Sequence, residues 1–566
     1  MERIFNLKLN IFLLVFGFIL IYSLRVLYLD SDVKSFELAQ IQPIDELYYN
    51  EVGINLYHYG IQSLTSGELE KVSVANAKLF LLPSLLTSIS MEIFGSNYWG
   101  LKMGNVFMGL LCGLLLVFLS NRLSNGNTIA NLFVSIFFVF DFNILMLSRE
   151  AVTVIPCMLA TMIYASGLLF IKKKNARLFF IGFWPVISFC LIYGGLPFLA
   201  LFSLGYMIYL WNDGGRKKKD IINFLVGGLA GIILCETIDY VIFRQHVWEI
   251  IIDTMVAHGG KVSGISIVRY PYNLIEYFIS NTYRYNFFFL VSALWSFFIC
   301  AYYIYKTQNE KVLIIVGLVF AHIVQIFLMP NMTLSKAAIT YPLVLLMIVL
   351  SVKFYHQELS VDISMQKYAM KALTPIVILA MFFQIVGLWR HKSLDTFDLE
   401  VSAVVALMII GLFLVAKKKK KIVYTFPAAM LSILLMCFLS YKYIFSDITY
   451  NDKNIMIDLS KTVGNNPIIN GKGFMLYNNI HSFVDDYDHY HGVGYNEKTV
   501  SRKIDSLSQH LKGDLFFLGY CKNGVASLNS RLYKYGVRFV PKKKYYRRFV
   551  YNGECYHMCL YKREKI

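Results

Sequence analysis

Apolar runs close to the length of a bilayer-crossing helix recur along this chain, at 9–29, 101–119, 128–147, 151–171, 177–193, 195–211, 221–240, 286–305, 312–330, 337–352, 372–390, 401–416 and 422–441. A helix of about 20 residues crosses roughly 30 Å of hydrocarbon and satisfies its own backbone hydrogen bonds on the way. With about 13 such runs, the expected fold class is mostly α, a polytopic transmembrane helical bundle. Composition agrees where it matters. Hydrophobic residues make up 57% of the 566 and charged residues 16%, against roughly 25% charged in soluble domains. Disorder, a coiled coil and an ordinary cytosolic enzyme are excluded.

The few charges are arranged. Lys+Arg 54 against Asp+Glu 36 leaves +18. Much of the excess sits between apolar runs, at Lys172, Lys173 and Lys174, at Arg216 to Lys219, and at Lys417 to Lys421. Short basic loops of this kind stay cytoplasmic, so the excess is explained by the lipid bilayer as partner and needs no nucleic acid. The run 9–29 is longer than a signal-peptide core, and no small-x-small cleavage site follows it. It reads as a retained anchor.

Parity then bears on 77–94, an apolar stretch interrupted by Pro83 and several hydroxyl residues. Leaving it out as a span keeps the three clusters on the side of the N-terminus. It is expected to lie against, or dip into, the outer leaflet. The segments 30–100, 148–150, 241–285, 331–336 and 445–566 then share the extracytoplasmic side, at the membrane–water boundary. The expected location is a plasma (inner) membrane, multi-pass and bacterial.

Two units follow. Residues 1–443 form the transmembrane part, with amphipathic helices in the outer loop 30–100. Residues 444–566 turn polar, with short apolar runs at Pro467–Ile469, Leu515–Leu518, Val537–Val540 and Tyr556–Tyr561 separated by Gly, Asn and Asp. These predict a small C-terminal extracytoplasmic α/β domain. Cys112, Cys157, Cys190, Cys235, Cys300 and Cys437 lie in apolar runs and read as small core residues. Cys521, Cys555 and Cys559 in the tail allow one disulfide at most, and no zinc spacing repeats. The tail string His481, Asp485, Asp486, Asp488, His489 and His491 fits neither an EF-hand nor a zincin. No metal site is assigned. The cofactor is unknown, and a divalent cation is possible without being indicated.

Chemistry concentrates after the first span. Asp45 and Glu46 follow Pro43 and precede Tyr48 and Tyr49. A carboxylate at the lip of a bilayer is partly desolvated, which raises its pKa and suits it to act as a base. The structural alternative is that Asp45 caps a helix and Glu46 complements its dipole. Arg149 and Glu150 sit between two strongly apolar runs, where an ionisable group lines a cavity or a membrane end. The planar fork of Arg149 suits a phosphate, and snorkelling to the headgroups is its structural alternative. Lys336 is a second phosphate candidate or an interfacial anchor. Loop 241–285 brings His258, Arg269 and Tyr270, an aromatic and cationic set for sugar and phosphate or an interfacial belt.

The run Gln42-Pro43-Ile44-Asp45-Glu46 resembles the first outer loop of the GT-C superfamily, polytopic glycosyltransferases that use polyprenyl-phosphate sugars. The protein O-mannosyltransferase and lipid A aminoarabinose transferase branch is the most similar. Asn76 to Pro83 and Ile93-Phe94-Gly95-Ser96 resemble its lysine–proline segment ending in F-G-x-S. Leu101 to Asn105 stands where that branch opens its next span with Arg-Leu. Leu147-Ser148-Arg149-Glu150 resembles its S-R turn, and Lys336 to Pro342 its basic residue before a proline-bearing span. Tyr48 stands where the aminoarabinose branch has Arg, and Asn76 where it has Lys, so the superfamily is implied rather than one donor or acceptor.

The resemblance implies a catalytic pair, Asp45 as base with Glu46 beside it. It implies donor-phosphate contacts from Arg149, Lys336, Lys78 and Arg269, and substrate contacts from Tyr48, Tyr49, Glu150, His258 and Tyr270. The implied activity is transfer of a hexosyl or pentosyl unit from a polyprenyl-phosphate donor to a lipid, glycan or protein hydroxyl, with inversion. A transporter or lipid flippase, and a polysaccharide polymerase or ligase, are the alternatives from topology.

Overall fold

In a computed structural model, the described residues are 14–27, 29, 52–58, 60, 81–149, 153–192, 196–212, 217–243, 287–328, 338–354 and parts of 452–565. The predicted spans 372–390, 401–416 and 422–441 lie outside them.

The membrane part is a succession of apolar helices. Helix α1 (Leu14–Val26) closes in a 3-10 turn, Leu24–Val26. A short helix, α2 (52–58), precedes α3 (Leu81–Phe94), α4 (Tyr98–Leu123) and α5 (Thr128–Phe140). Then come α6 (Phe142–Arg149), α7 (Val154–Phe170) and α8 (Lys174–Ile187), which runs on through a π turn, Ser188–Ile192. Helices α9 (Pro197–Asn212), α10 (Lys217–Phe243), α11 (Phe287–Thr307), α12 (Glu310–Leu328) and α13 (Tyr341–Phe354) complete the set. Among the described residues, three helices are long and apolar enough to cross a membrane unaided: Tyr98–Leu123, Lys174–Ile192 and Lys218–Ile238.

Most boundaries fall within a few residues of the sequence-based ones, and three details differ. The run 128–147 is broken at Asp141 into α5 and α6, because Asp141 caps α6 by accepting from Ile144 N–H at 3.1 Å. Ser148 and Arg149 therefore end a helix instead of forming a turn. Pro83 does not interrupt its helix. It lies in the first turn of α3, where the N–H it lacks would have no intrahelical partner.

Helix α7 is apolar nearly all round and buried on nearly every face, so it forms the centre of the core. It packs on α4, α8, α12 and α13. Helix α4 has 26 residues, roughly 39 Å at 1.5 Å per residue, longer than the hydrocarbon is thick. Its successive glycines mark its neighbours. Gly100 and Gly104 face α3 at Met91 and Leu86, Gly109 faces Tyr22 and Ser148, and Gly113 faces Phe18 and Phe138. Helix α3 thus lies along the N-terminal part of α4, beyond the level reached by Tyr22 and Ser148.

The lysines of the 172–174 and 217–219 runs lie at the opposite end. Lys174 pairs with Asp220 at 2.7 Å. Arg177 pairs with Glu310 at 2.6 Å, and Tyr206 donates to the same carboxylate. Lys353 Nζ donates to the Leu123 carbonyl at 2.9 Å.

The C-terminal part is a mixed five-stranded sheet, ordered β2-β1-β3-β7-β4. Its strands are β1 (Ile468–Ile469), β2 (Ser482–Phe483), β3 (Phe516–Tyr520), β4 (Val537–Tyr545) and β7 (Met558–Lys565), with β5 (Val550–Tyr551) and β6 (Glu554–Cys555) as a separate hairpin. Strand β1 is parallel to β2 and β3, whereas β7 is antiparallel to β3 and β4. Helix α14 (Asp452–Val463) buries Ile455, Leu459 and Val463 against Ile468, Phe516, Leu518 and Leu560. Edge strand β4 carries Lys542 to Lys544 and a bulge beside Pro541, features that discourage further strand pairing. Asn529 bonds both backbone groups of Phe539, each at 2.8 Å.

Candidate functional site

Ionisable side chains are costly inside hydrocarbon, so their partners show what holds them there. Arg25 lies in the last turn of the apolar helix α1 and is 1% exposed. Its Nη2 donates to the carbonyls of Phe138 and Val139, at 2.7 and 2.8 Å. These are carbonyls at the end of α5, which have no partner within their own helix. Its Nη1 donates to the Ile144 carbonyl at 3.0 Å and to the Ser148 hydroxyl. The guanidinium also covers the Tyr22 ring, 4.4 Å from its centroid. Bonds from a charged group contribute roughly 1.5–3 kcal/mol each. Four of them outweigh an intramembrane cost of about 2.5–3.5 kcal/mol on insertion scales.

Arg149 returns the arrangement. It is fully buried at the end of α6, and its Nη1 donates to the Arg25 and Leu27 carbonyls at 2.9 and 2.6 Å. These carbonyls lie at the end of α1, where a cation also complements the helix dipole. Each arginine therefore holds the backbone of the element that bears the other. Ser148 links them, donating to the Leu145 carbonyl at 3.0 Å while accepting from Arg25.

A polar layer continues across this end of the bundle. Asp141 is buried and close enough to Arg25 and Tyr341 for its charge to act on both. His322 shares a hydrogen bond with the Thr340 hydroxyl at 2.9 Å and lies 4.8 Å from the Phe198 ring. Gln325 accepts from Phe198 N–H at 2.7 Å. Beyond the layer, α2, α3 and α4 bury a second polar set: Asn55, Ser84, Thr87, Ser90, Lys102 and Asn105. Lys102 lies 5.1 Å from the Tyr98 ring centroid. Gly53 admits the close approach of α2 to α3, since a Cβ there would meet Thr87 and the Ser84 carbonyl.

Of the residues singled out from sequence, Arg149 is described and sits in this layer. Asp45, Glu46, Tyr48, Tyr49, Lys78, Glu150, His258, Arg269, Tyr270 and Lys336 lie outside the described residues. The described elements bracket several of them along the chain. Helix α1 ends at Val26 before Asp45, Val52 and Ile54 are buried after it, and the 3-10 turn Ala338–Thr340 follows Lys336. Sequence reasoning passed over Arg25, Lys102, Asp141 and His322. The signal was present: each is a lone ionisable residue in or beside an apolar run, a functional marker by default in membranes. Among the described residues, no group of three or more His, Cys, Asp or Glu is arranged to hold a metal ion.

The architecture is a polytopic helical bundle followed by a small α/β unit. Two solved structures of ArnT from Cupriavidus metallidurans share it. The undecaprenyl phosphate complex matches with a TM-score of 0.57 and the apo state with 0.51. Each is 11% identical, over 98% of this chain and 97% of that one. No protein-family model matches the chain, and no curated protein matches it by sequence.

Proposed function

We propose that this chain is a membrane glycosyltransferase that moves a sugar from a polyprenyl-phosphate donor to an acceptor hydroxyl at the extracytoplasmic face. The observation that carries the reading is the end-to-end fold match to a protein crystallised with undecaprenyl phosphate. The paired acids after the first span add to it.

In this reading Asp45 removes the proton of the acceptor hydroxyl, and Glu46 orients the acceptor. The oxygen attacks the anomeric carbon from the side opposite the phosphate, so the new glycosidic bond forms with inversion as the C–O bond to phosphate breaks. The leaving polyprenyl phosphate carries the electron pair away, and Lys336, Lys78 and Arg269 neutralise it. Tyr48, Tyr49, Glu150, His258 and Tyr270 line the sugar and acceptor. Arg149 touches backbone carbonyls through Nη1 and is fully buried. That favours a supporting role for it over direct contact with the phosphate.

The placement outside rests on two further observations. The lysines at 172–174 and 217–219 and the Arg149 layer occupy opposite ends of the described helices, and Cys559 in the C-terminal sheet is disulfide-bonded. Disulfides persist in oxidising compartments. The location proposed is the bacterial inner membrane, with the C-terminal unit outside. Residues 1–443 would carry the reaction and 444–566 would form that outer unit.

The test compares envelope glycans by mass spectrometry in cells with the chain, without it, and with Asp45→Asn. General-base assistance is worth about 10²–10⁴-fold, so the variant should lose transfer by that order while still inserting. Normal transfer by Asp45→Asn removes Asp45 from the role. A glycan profile that ignores the deletion, together with sugar–lipid crossing in liposomes, would replace the transferase with a flippase.

A further inference from the structure

Arg25 has no part in the chemistry above, yet it donates to four acceptors on two helices. We propose that Arg25 is a positioning residue for sugar transfer. Paired reciprocally with Arg149, it fixes the end of the first span against α5 and α6, and with it the point from which the Asp45 segment leaves the bundle. The inference rests on the glycosyltransferase reading.

The argument is geometric. The Arg25 side chain binds the end of α5, the body of α6 and Ser148. Its own carbonyl accepts from Arg149, as does that of Leu27. One residue thus links three elements, two of which end beside segments expected to carry catalytic groups. On one side Leu29 is buried where α1 leads toward Asp45, and on the other Arg149 is followed directly by Glu150. Lysine cannot replace this arrangement. It keeps the charge but has no planar fork, and a single ammonium with three donors cannot reach four acceptors spread over two helices. A site held by such a support loses rate when it shifts, because a misplacement of about 1 Å can cost 10²-fold.

The experiment uses the full-length protein and three variants: Arg25→Lys, Arg149→Lys and the double. In cells lacking the native copy, Arg25→Lys should lower envelope sugar transfer per inserted molecule by about 10²-fold. Its affinity for undecaprenyl phosphate, measured on the detergent-purified protein, should not change. The double variant should be no worse than the poorer single, since the two arginines act as one unit. Hydrogen exchange should quicken in peptides covering 20–29 and 141–149. Arg177→Lys, at the lysine-rich end, is the control for general destabilisation: its melting temperature should fall with transfer per folded molecule intact.

Wild-type transfer by folded Arg25→Lys overturns the proposal. So does loss of undecaprenyl phosphate binding, which would make Arg25 a lipid ligand, and so does unchanged exchange in those peptides. A deletion that leaves every envelope sugar in place overturns the glycosyltransferase reading instead. Exchange in the two peptides would then still report whether Arg25 clamps the three elements.

Discussion

Two buried side chains illustrate what burial does to a polar group on either side of the membrane boundary. Inside the bundle, Arg25 is held by four acceptors and an aromatic face. In the C-terminal sheet, Tyr545 is buried against α14, and its phenol is pushed up from the ordinary value near 10 to about 12. Burial is the main cause. The neighbouring Thr462 hydroxyl pulls the other way, and the charge of Asp458 adds to the rise. A raised value means that the fold prefers the neutral phenol. This contribution to stability is whole below about pH 10 and is lost as pH climbs through about 12. Limited proteolysis of the tail in the full-length protein should show it opening over that interval. Tyr545→Phe should flatten that part of the curve, and an identical curve for the variant would assign alkaline opening to other groups.

Helices α8 and α10 show how little sequence is needed to bring two elements together. Gly182 of α8 faces Phe224 and Gly228, and Gly227 of α10 faces the backbone of Phe179. A Cβ at Gly227 would fall on the Phe179 carbonyl, whereas one at Gly228 would have only the Gly182 carbonyl nearby, at 3.9 Å. Small residues allow this backbone approach, which drives helix association where lipid removes the hydrophobic contribution. Gly227→Ala should therefore cost about 1–3 kcal/mol, seen as a lower melting temperature in detergent. Gly228→Ala, one residue away, should melt like the wild type. Equal effects from the two would mean that the approach of α8 to α10 does not govern stability. The outer face of α10, with Leu225, Leu229 and Ile233 exposed, is the surface expected toward lipid tails.

For the chain as a whole, orientation is the property with most consequences. The proposed topology places Lys173 and Asp514 on opposite sides of the membrane. A membrane-impermeant maleimide should label Asp514→Cys in intact spheroplasts, and Lys173→Cys only in inverted vesicles. Cys559 should stay unlabelled until a reductant is added. The reverse pattern would put the C-terminal sheet and the Arg149 layer in the cytoplasm, away from any outward-facing carrier lipid.

Periodic and compositional features were readable from the residues alone. The described apolar helices and the strands β1, β3, β4 and β7 of the tail follow from local rules. Apolar length, basic loop charge and alternation act within a few turns of chain. The break at Asp141, the harmless place of Pro83 and the mutual hold of Arg25 and Arg149 could not be read that way. Each depends on what lies opposite. Phe138, Val139 and Ile144 are more than a hundred residues from Arg25. Whether a guanidinium in an apolar run is a liability or an anchor is set by the acceptors that distant helices bring to it. The sequence determines that helices cross a bilayer and which ends are basic, because those energies are local transfer costs. Tertiary packing alone determines which buried charges hold those helices together, because that energy resides in bonds between segments far apart in the chain.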